Sequence, residues 1–246
     1  MARHSHWAQI KLKKGAADQK RGKVFARHSR LIEIVVRRAG ADPHMNAGLR
    51  LAIENARADN MPRENIERAI KKGSGDLKGA EQMQEVTYEG FAPGGVALLI
   101  ETLTDNKNRT NQTVRGVMQE YGGNLGAMGS TSFLFETKGM MTVKKKGIPE
   151  TDELEIIDAG AQDIQEIESG FLVYTMPNEL AAVRKKLGGI GFKVESAELT
   201  QIPKNLVEVS DAATAKKILD LMEALENEDD ISSVAANFDI PENLVS

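Results

Sequence analysis

The sequence predicts a multidomain α+β protein: an N-terminal three-helix bundle with a basic arm, then two α+β domains, the last ferredoxin-like and inserted in the other. Three observations lead there. The chain has 246 residues, more than one typical domain holds. Its first third places apolar residues three and four apart. From about Val86 short β-type runs alternate with helical stretches. The domains expected from this are 1–80 (helical), 81–138 together with 203–246 (α+β), and 139–202 (the inserted unit).

The elements follow from local signals. His4 to Gly15 reads as an extended arm. A first helix from about Ala17 to Arg38 carries Phe25, Leu31, Ile32, Val35 and Val36 as its apolar stripe and ends at Gly40. A second, about Asn46 to Ala58, sets Leu49, Ala52, Ile53 and Ala56 at helical spacing. Asn60-Met61-Pro62 closes it and opens a third, which buries Ile66, Ala69 and Ile70 and stops at Gly73-Ser74-Gly75. Val86–Phe91 and Val96–Thr104 then read as a hairpin about Ala92-Pro93-Gly94-Gly95. A helix from about Arg109 to Tyr121 and a strand Ser130 to Phe135 follow, an incomplete ββαβ unit. From Gly139 to Ile202 the order is βαββαβ: Met140–Lys145, Glu150–Ala159, Asp163–Glu168, Phe171–Thr175, Asn178–Leu187 and Phe192–Leu199. A complete unit in the middle implies that the last helix, Ala212–Leu225, and strand, Ile231–Phe238, return to finish the earlier sheet.

The 41% hydrophobic and 28% charged residues suit an ordinary folded protein, and no run of about 18 apolar residues offers a membrane span. Cysteine is absent, which removes disulfides and thiolate chemistry, and the start of the chain is charged rather than an apolar signal region. A cytoplasmic protein is expected. Net charge is −4, but residues 1–80 hold 18 Lys and Arg against 8 Asp and Glu, while the remainder hold 14 against 28. A basic head on an acidic body concentrates a polyanion at one end and discourages indiscriminate sticking at the other.

The densest cation cluster is Lys11, Lys13, Lys14, Lys20, Arg21 and Lys23, continued by Arg27 and Arg30. Side chains so crowded neutralise phosphates and release counterions, and Trp7 beside His4 and Ser5 can stack on a base or dock the arm on the bundle. A second cluster, Thr104-Asp105-Asn106-Lys107-Asn108-Arg109-Thr110-Asn111, falls where a strand hands over to a helix. Asp105 or Asn106 can cap that helix, leaving Lys107, Asn108 and Arg109 to meet phosphate or base edges. The loop Gly122 to Ser130 is either a long turn or a contact surface. All of His4, His6, His28 and His44 lie in the head without metal-ligand spacing, and Gly15 to Val24 departs from the phosphate-loop pattern in spacing and in Val24. No catalytic constellation is present, so neither an enzyme, a metal, a cofactor nor a small-molecule substrate is expected.

His4-Ser5 with Trp7, Asp18 with Lys20-Arg21-Gly22-Lys23 and Phe25, Asn60-Met61-Pro62 with Asn65 to Gly73, Tyr88-Glu89-Gly90, Pro93 to Ala97, Thr104-Asp105-Asn106 with Asn108-Arg109-Thr110, and Gly122 to Gly126 together resemble the YebC/PmpR family. After Phe135 the match is mostly of element order. The resemblance implies three domains, one helical and two α+β, and a DNA-binding transcriptional regulator. It also implies an alternative, a ribosome-associated translation factor that binds rRNA or tRNA and relieves stalling at proline runs, since a mitochondrial translational activator of cytochrome c oxidase is related. Arg3 stands where Gly is typical, His6 where Lys is, and His28-Ser29 where apolar residues are. The expectation is a monomeric regulator with nucleic acid as its partner.

Overall fold

A computed structural model describes residues 21–76, 84–241 and 244, with side chains from Val24 onward. Among the described residues three helices come first, α1 (Arg21–Ala39), α2 (Ala47–Ala58) and α3 (Arg63–Ser74). Strands β1 (Gln84–Ala92) and β2 (Val96–Thr104), helix α4 (Lys107–Glu120) and strand β3 (Asn124–Leu125) follow. Next are β4 (Phe135–Lys144), α5 (Pro149–Ala159), β5 (Asp163–Ile167), β6 (Gly170–Thr175), α6 (Leu180–Gly189) and β7 (Val194–Pro203). The chain continues through β8 (Val207–Glu208), α7 (Ala212–Asn227), β9 (Ile231–Ala236) and β10 (Phe238–Asp239). These form two compact units. One combines Arg21–Lys78 with Thr137–Thr200, and the other contains Gly79–Glu136 and Gln201–Ser246.

In the first unit, α1 to α3 close around Ile32, Val36, Leu49, Ile53, Ala56, Met61, Ile66 and Ala69. Asn46 starts α2 by accepting the Leu49 N–H at 3.0 Å, while its amide donates to Val35 O and Gly40 O. One side chain thus caps a helix and fastens the preceding turn. Leu31, expected in the apolar stripe, is only half-buried; the buried positions of α1 are His28, Ile32, Glu33 and Val36, and His28, Ile32 and Val36 are spaced four apart on one face. The polar ring of His28 is accommodated because Nε2 lies 2.6 Å from Asp59 Oδ2. Where α1 passes α3, Gly73 is required: a Cβ there would lie 2.9 Å from Val36 Cβ and 3.0 Å from Glu33 Cα. The same unit contains a sheet of order β5-β6-β4-β7, the strand order of a ferredoxin-like βαββαβ unit. Met141, Val143, Phe171, Val173, Ile156, Val183 and Leu187 fill its core, and Leu51 of α2 packs on that core. Asn55 donates to Ala197 O at 2.7 Å, and Arg184 pairs with Glu54.

The second unit is built on an antiparallel sheet of order β3-β1-β2-β9. β2 is one of its two interior strands, and all of Val96–Thr104 except Glu101 are buried, which explains the near-continuous apolar run. Leu98 and Ile100 join Val114 and Met118 of α4 and Ile218, Met222 and Leu225 of α7 in the main core, while Ala97, Leu99 and Phe135 pack together in a separate cluster. The hairpin turn uses Gly94 and Gly95, at φ 76° and 75°, as a left-handed pair.

Ser130–Phe135 is not the expected strand. Residues Ser132–Leu134 form a 3-10 turn, and one long strand begins at Phe135 and absorbs the segment anticipated from Met140. The cause is Glu89: its carboxylate gathers the N–H groups of Gly129, Thr131 and Ser132, so those donors cannot serve a ladder. Asn124–Leu125 pairs with β1 instead.

Candidate nucleic-acid interface

Of the head residues expected to meet nucleic acid, His4, Ser5, Trp7, Lys11, Lys13, Lys14 and Lys20 lie outside the described residues; Arg21 and Lys23 lie in the first turn of α1. Arg27, one to two turns on, reaches Glu198 at 3.7 Å across partly exposed surface. Such a pair is weak and readily exchanged for a phosphate. Arg30 and Arg37 place positive charge near Glu33. Arg37 and Arg38 end α1, and Lys71 and Lys72 end α3, where cations complement the helix dipole.

Glu33 is buried, with Lys72 Nζ 3.3 Å from Oε1, and its Oε2 has no hydrogen-bond partner among the described residues. Burial pushes its carboxyl above the usual range, and the Lys72 ammonium only partly opposes this.

The second expected cluster lies in the other unit, at the start of α4. Asn106 caps the helix, accepting the N–H groups of Asn108 and Arg109 at 3.1 Å. Lys107 and Asn108 are exposed in the first turn, and the Lys107 carbonyl accepts from Tyr88 OH at 3.3 Å. Arg109, expected to be left over after capping, is clamped: its Nη2 sits 2.7 Å from Asp105 Oδ1 and 2.9 Å from Asp230 Oδ2. Donating hydrogen bonds to Asp230 and then to Asp105 pushes the guanidinium still higher and keeps it charged. Asp230 Oδ2 also lies 2.6 Å from Thr110 Oγ1, which is 2.7 Å from Thr104 Oγ1, itself accepting the Asn106 N–H at 2.9 Å. If Thr110 donates to the carboxylate, the Thr104 hydroxyl donates to Thr110 and each polar atom is satisfied. The network ties the end of β2, the start of α4 and the entry to β9, and so fixes where Lys107 and Asn108 stand.

The Gly122–Ser130 loop is held as firmly. Glu89 Oε1 accepts the Gly129 N–H at 2.7 Å; Oε2 accepts those of Thr131 at 2.6 Å and Ser132 at 2.8 Å. Burial alone would raise this carboxyl, but donation from Thr131, Gly129 and Ser132 outweighs it and holds the group below its ordinary value. Met128 stands almost fully exposed on the loop.

A family model described as the TACO1/YebC protein N-terminal domain matches residues 5–76, and one described as the TACO1/YebC second and third domain matches residues 83–238. The chain belongs to the TACO1/YebC family. Among its relatives, a protein of Aquifex aeolicus (strain VF5) named "Probable transcriptional regulatory protein" is 49% identical, over 100% of this chain and 98% of its own. One of the same name from Halothermothrix orenii is 46% identical over 100% and 98%. The crystal structure of a conserved hypothetical protein from Aquifex aeolicus matches with a TM-score of 0.89 at 49% identity, covering 97% of this chain and 98% of that one. In this TACO1/YebC chain the described residues contain no group of three or more His, Asp or Glu able to hold a metal ion, and no helix long and apolar enough to cross a membrane.

Sequence reasoning missed Asp230, Glu89 and Glu33. Asp230 is distant in sequence from the residues it binds, and its signal, the run Glu228-Asp229-Asp230, reads as a solvated acidic turn. Glu89 sits inside the Tyr88-Glu89-Gly90 motif that carries the TACO1/YebC resemblance, and a carboxylate in a half-buried strand was the available clue.

Proposed function

We propose that the chain is a DNA-binding transcriptional regulator in which the basic N-terminal segment grips the phosphate backbone. The observation that carries this is the charge division of the chain, 18 Lys and Arg against 8 Asp and Glu in residues 1–80 of a molecule with net charge −4. It agrees with the regulatory names of relatives that match along the whole length. Lys11, Lys13, Lys14, Lys20, Arg21, Lys23, Arg27 and Arg30 hold phosphates, which fixes register but carries no sequence information. Trp7, with His4 and Ser5, stacks or wedges at the backbone, and Lys107 and Asn108, set by Asn106 and the clamped Arg109, add selectivity. The protein acts in the cytoplasm as a monomer without cofactor or catalysis, and the acidic remainder limits non-specific binding.

The test is to change Lys20, Arg21 and Lys23 together to Glu and measure affinity for a DNA duplex at fixed salt. Loss of binding supports the proposal, and unchanged affinity overturns it.

A further inference from the structure

The seam between α1 and α3 gathers cations over a single acid. On α1, Arg30 and Arg37 stand seven residues apart and share one stripe of the helix, with Glu33 between them at steps of three and four. On α3, Arg68 and Lys72 are four apart and share a stripe in turn. Gly73 lets α3 close on α1 there: a Cβ at that position would lie 3.0 Å from both Cα and O of Glu33. Of these five charged groups the carboxylate alone is buried; Arg68 is exposed, and Lys72 keeps 38% of its side chain in solvent. Glu33 is the only acid of α1, and those of α3, Glu64 and Glu67, stand in its first two turns, with Glu67 taken by Arg63 at 2.7 Å. The seam is therefore net positive, as a surface that meets a phosphate backbone must be.

Glu33 adds a second sign. It is 3% exposed, Oε1 lies 3.3 Å from Lys72 Nζ, and Oε2 is buried with no hydrogen-bond partner among the described residues. Facing it are Lys72 from α3, and Arg37 and Arg30 from α1 itself. A buried carboxylate with one oxygen unused is a costly way to hold two helices together. What it provides is a counter-charge beneath cations that would otherwise repel one another, with Lys72 anchored within reach of solvent. A phosphate that takes Lys72 removes this ion pair and leaves the buried carboxylate beside a new negative charge, which favours its neutral form.

We infer that Arg30, Arg37, Arg68 and Lys72 form a phosphate-binding seam for duplex DNA, and that binding there is coupled to uptake of a proton from solvent by Glu33. The inference rests on the DNA-binding reading above and extends it from the N-terminal cations to α3. Burial already raises the Glu33 carboxyl, and a bound phosphate raises it further. Affinity thus falls as pH rises through the interval between the free and bound values and is level on either side.

The experiment uses the full chain and a fluorescent mixed-sequence DNA duplex, with anisotropy read across a salt series and from pH 5.5 to pH 8. Lys72→Met is expected to weaken binding roughly five-fold at about 0.1 M salt and to flatten the slope of log affinity against log salt by about 0.9, one phosphate contact. Arg68→Ala, at an exposed position, repeats that test without touching the Glu33 pair. Glu33→Gln fixes the neutral form and is expected to bind roughly three- to ten-fold tighter than the parent at pH 8, with the gap closing toward pH 5.5. Glu64→Gln removes an exposed charge from the same bundle and is the control, its effect constant across the range. The histidines are the same in every variant, so their titration cancels in the comparison. Parental affinity and slope in both Lys72→Met and Arg68→Ala overturn the seam. A Glu33→Gln gain that is the same at every pH, as for Glu64→Gln, overturns the proton coupling. In either case loss of binding by the Lys20, Arg21 and Lys23 triple Glu variant leaves the head reading standing; if the parent binds no duplex, both fall. If the Lys72 and pH effects arise only with a structured RNA hairpin, the duplex assignment is overturned.

Discussion

Glu89→Gln isolates the interaction that shapes the Gly122–Ser130 loop. The wild-type carboxylate accepts three backbone N–H groups, from Gly129, Thr131 and Ser132, with the Thr131 hydroxyl 3.3 Å away. Glutamine keeps one acceptor oxygen but sets an NH2 against the Thr131 and Ser132 donors. Thr131 is fully buried, so its N–H gains no water in exchange. A buried donor left unsatisfied costs about 1–3 kcal/mol, and a hydrogen bond to a charged acceptor contributes about 1.5–3 kcal/mol. A loss of about 3 kcal/mol follows, a fall in Tm on the order of 6–12 °C for a chain of this size. The pH dependence has a fixed sign. Because the folded carboxyl is held below its ordinary value, its contribution is complete above the unfolded value, about 4.3, and is lost as pH falls through the folded one. The gap between parent and variant should therefore be full at pH 7 and narrow under acid. Thermal unfolding from pH 7 to pH 3 measures it, with amide exchange at Gly129, Thr131 and Ser132 as the local readout. A variant within about 1 °C of the parent at pH 7, or a gap that widens in acid, would refute the reasoning.

Glu33 gives the opposite sign. Burial raises its carboxyl, so the group favours folding most below its unfolded value, and that contribution is lost as pH rises through the folded one. Glu33→Gln should leave stability at pH 7 unchanged or higher by up to about 1 kcal/mol in urea unfolding, with a smaller difference at pH 4; a loss above about 2 kcal/mol would show the Lys72 pair to be net stabilising. Gly73→Ala forces a methyl to within 2.9 Å of Val36 Cβ, and a cost of about 1–3 kcal/mol is expected by the same assay, with no cost sinking the close-approach argument. Asn106→Ala removes the cap of α4 and should lower the urea midpoint by the equivalent of about 1 kcal/mol; retention of wild-type stability would mean the Asp230 network holds the helix start alone.

The helices and most strands were legible because their signals are local. Asn46, Asn60-Met61-Pro62 and Gly73-Ser74-Gly75 punctuate the head, and the Pro93-Gly94-Gly95 turn marks the hairpin. What the sequence hid were long-range polar contacts. Ser130–Phe135 looks like a strand by composition, and only the distant Glu89 carboxylate diverts its N–H groups. Leu31 looks like core, yet it is only half-buried, whereas His28 is buried with Asp59 on its ring. The same blindness affected the candidate site. Asn106 as a cap could be read from its position before a helical run, but the clamping of Arg109 depends on Asp230, which is 121 positions away.

The most direct test of the DNA-binding account is the affinity of the full chain for a DNA duplex across a salt series. Gripping of several phosphates by the basic head predicts that log affinity falls linearly with log salt, with a slope near −0.9 per phosphate neutralised, hence about −4 to −7, and that the Lys20, Arg21 and Lys23 triple Glu variant loses this binding. No binding at low salt, or an affinity indifferent to salt, would contradict it.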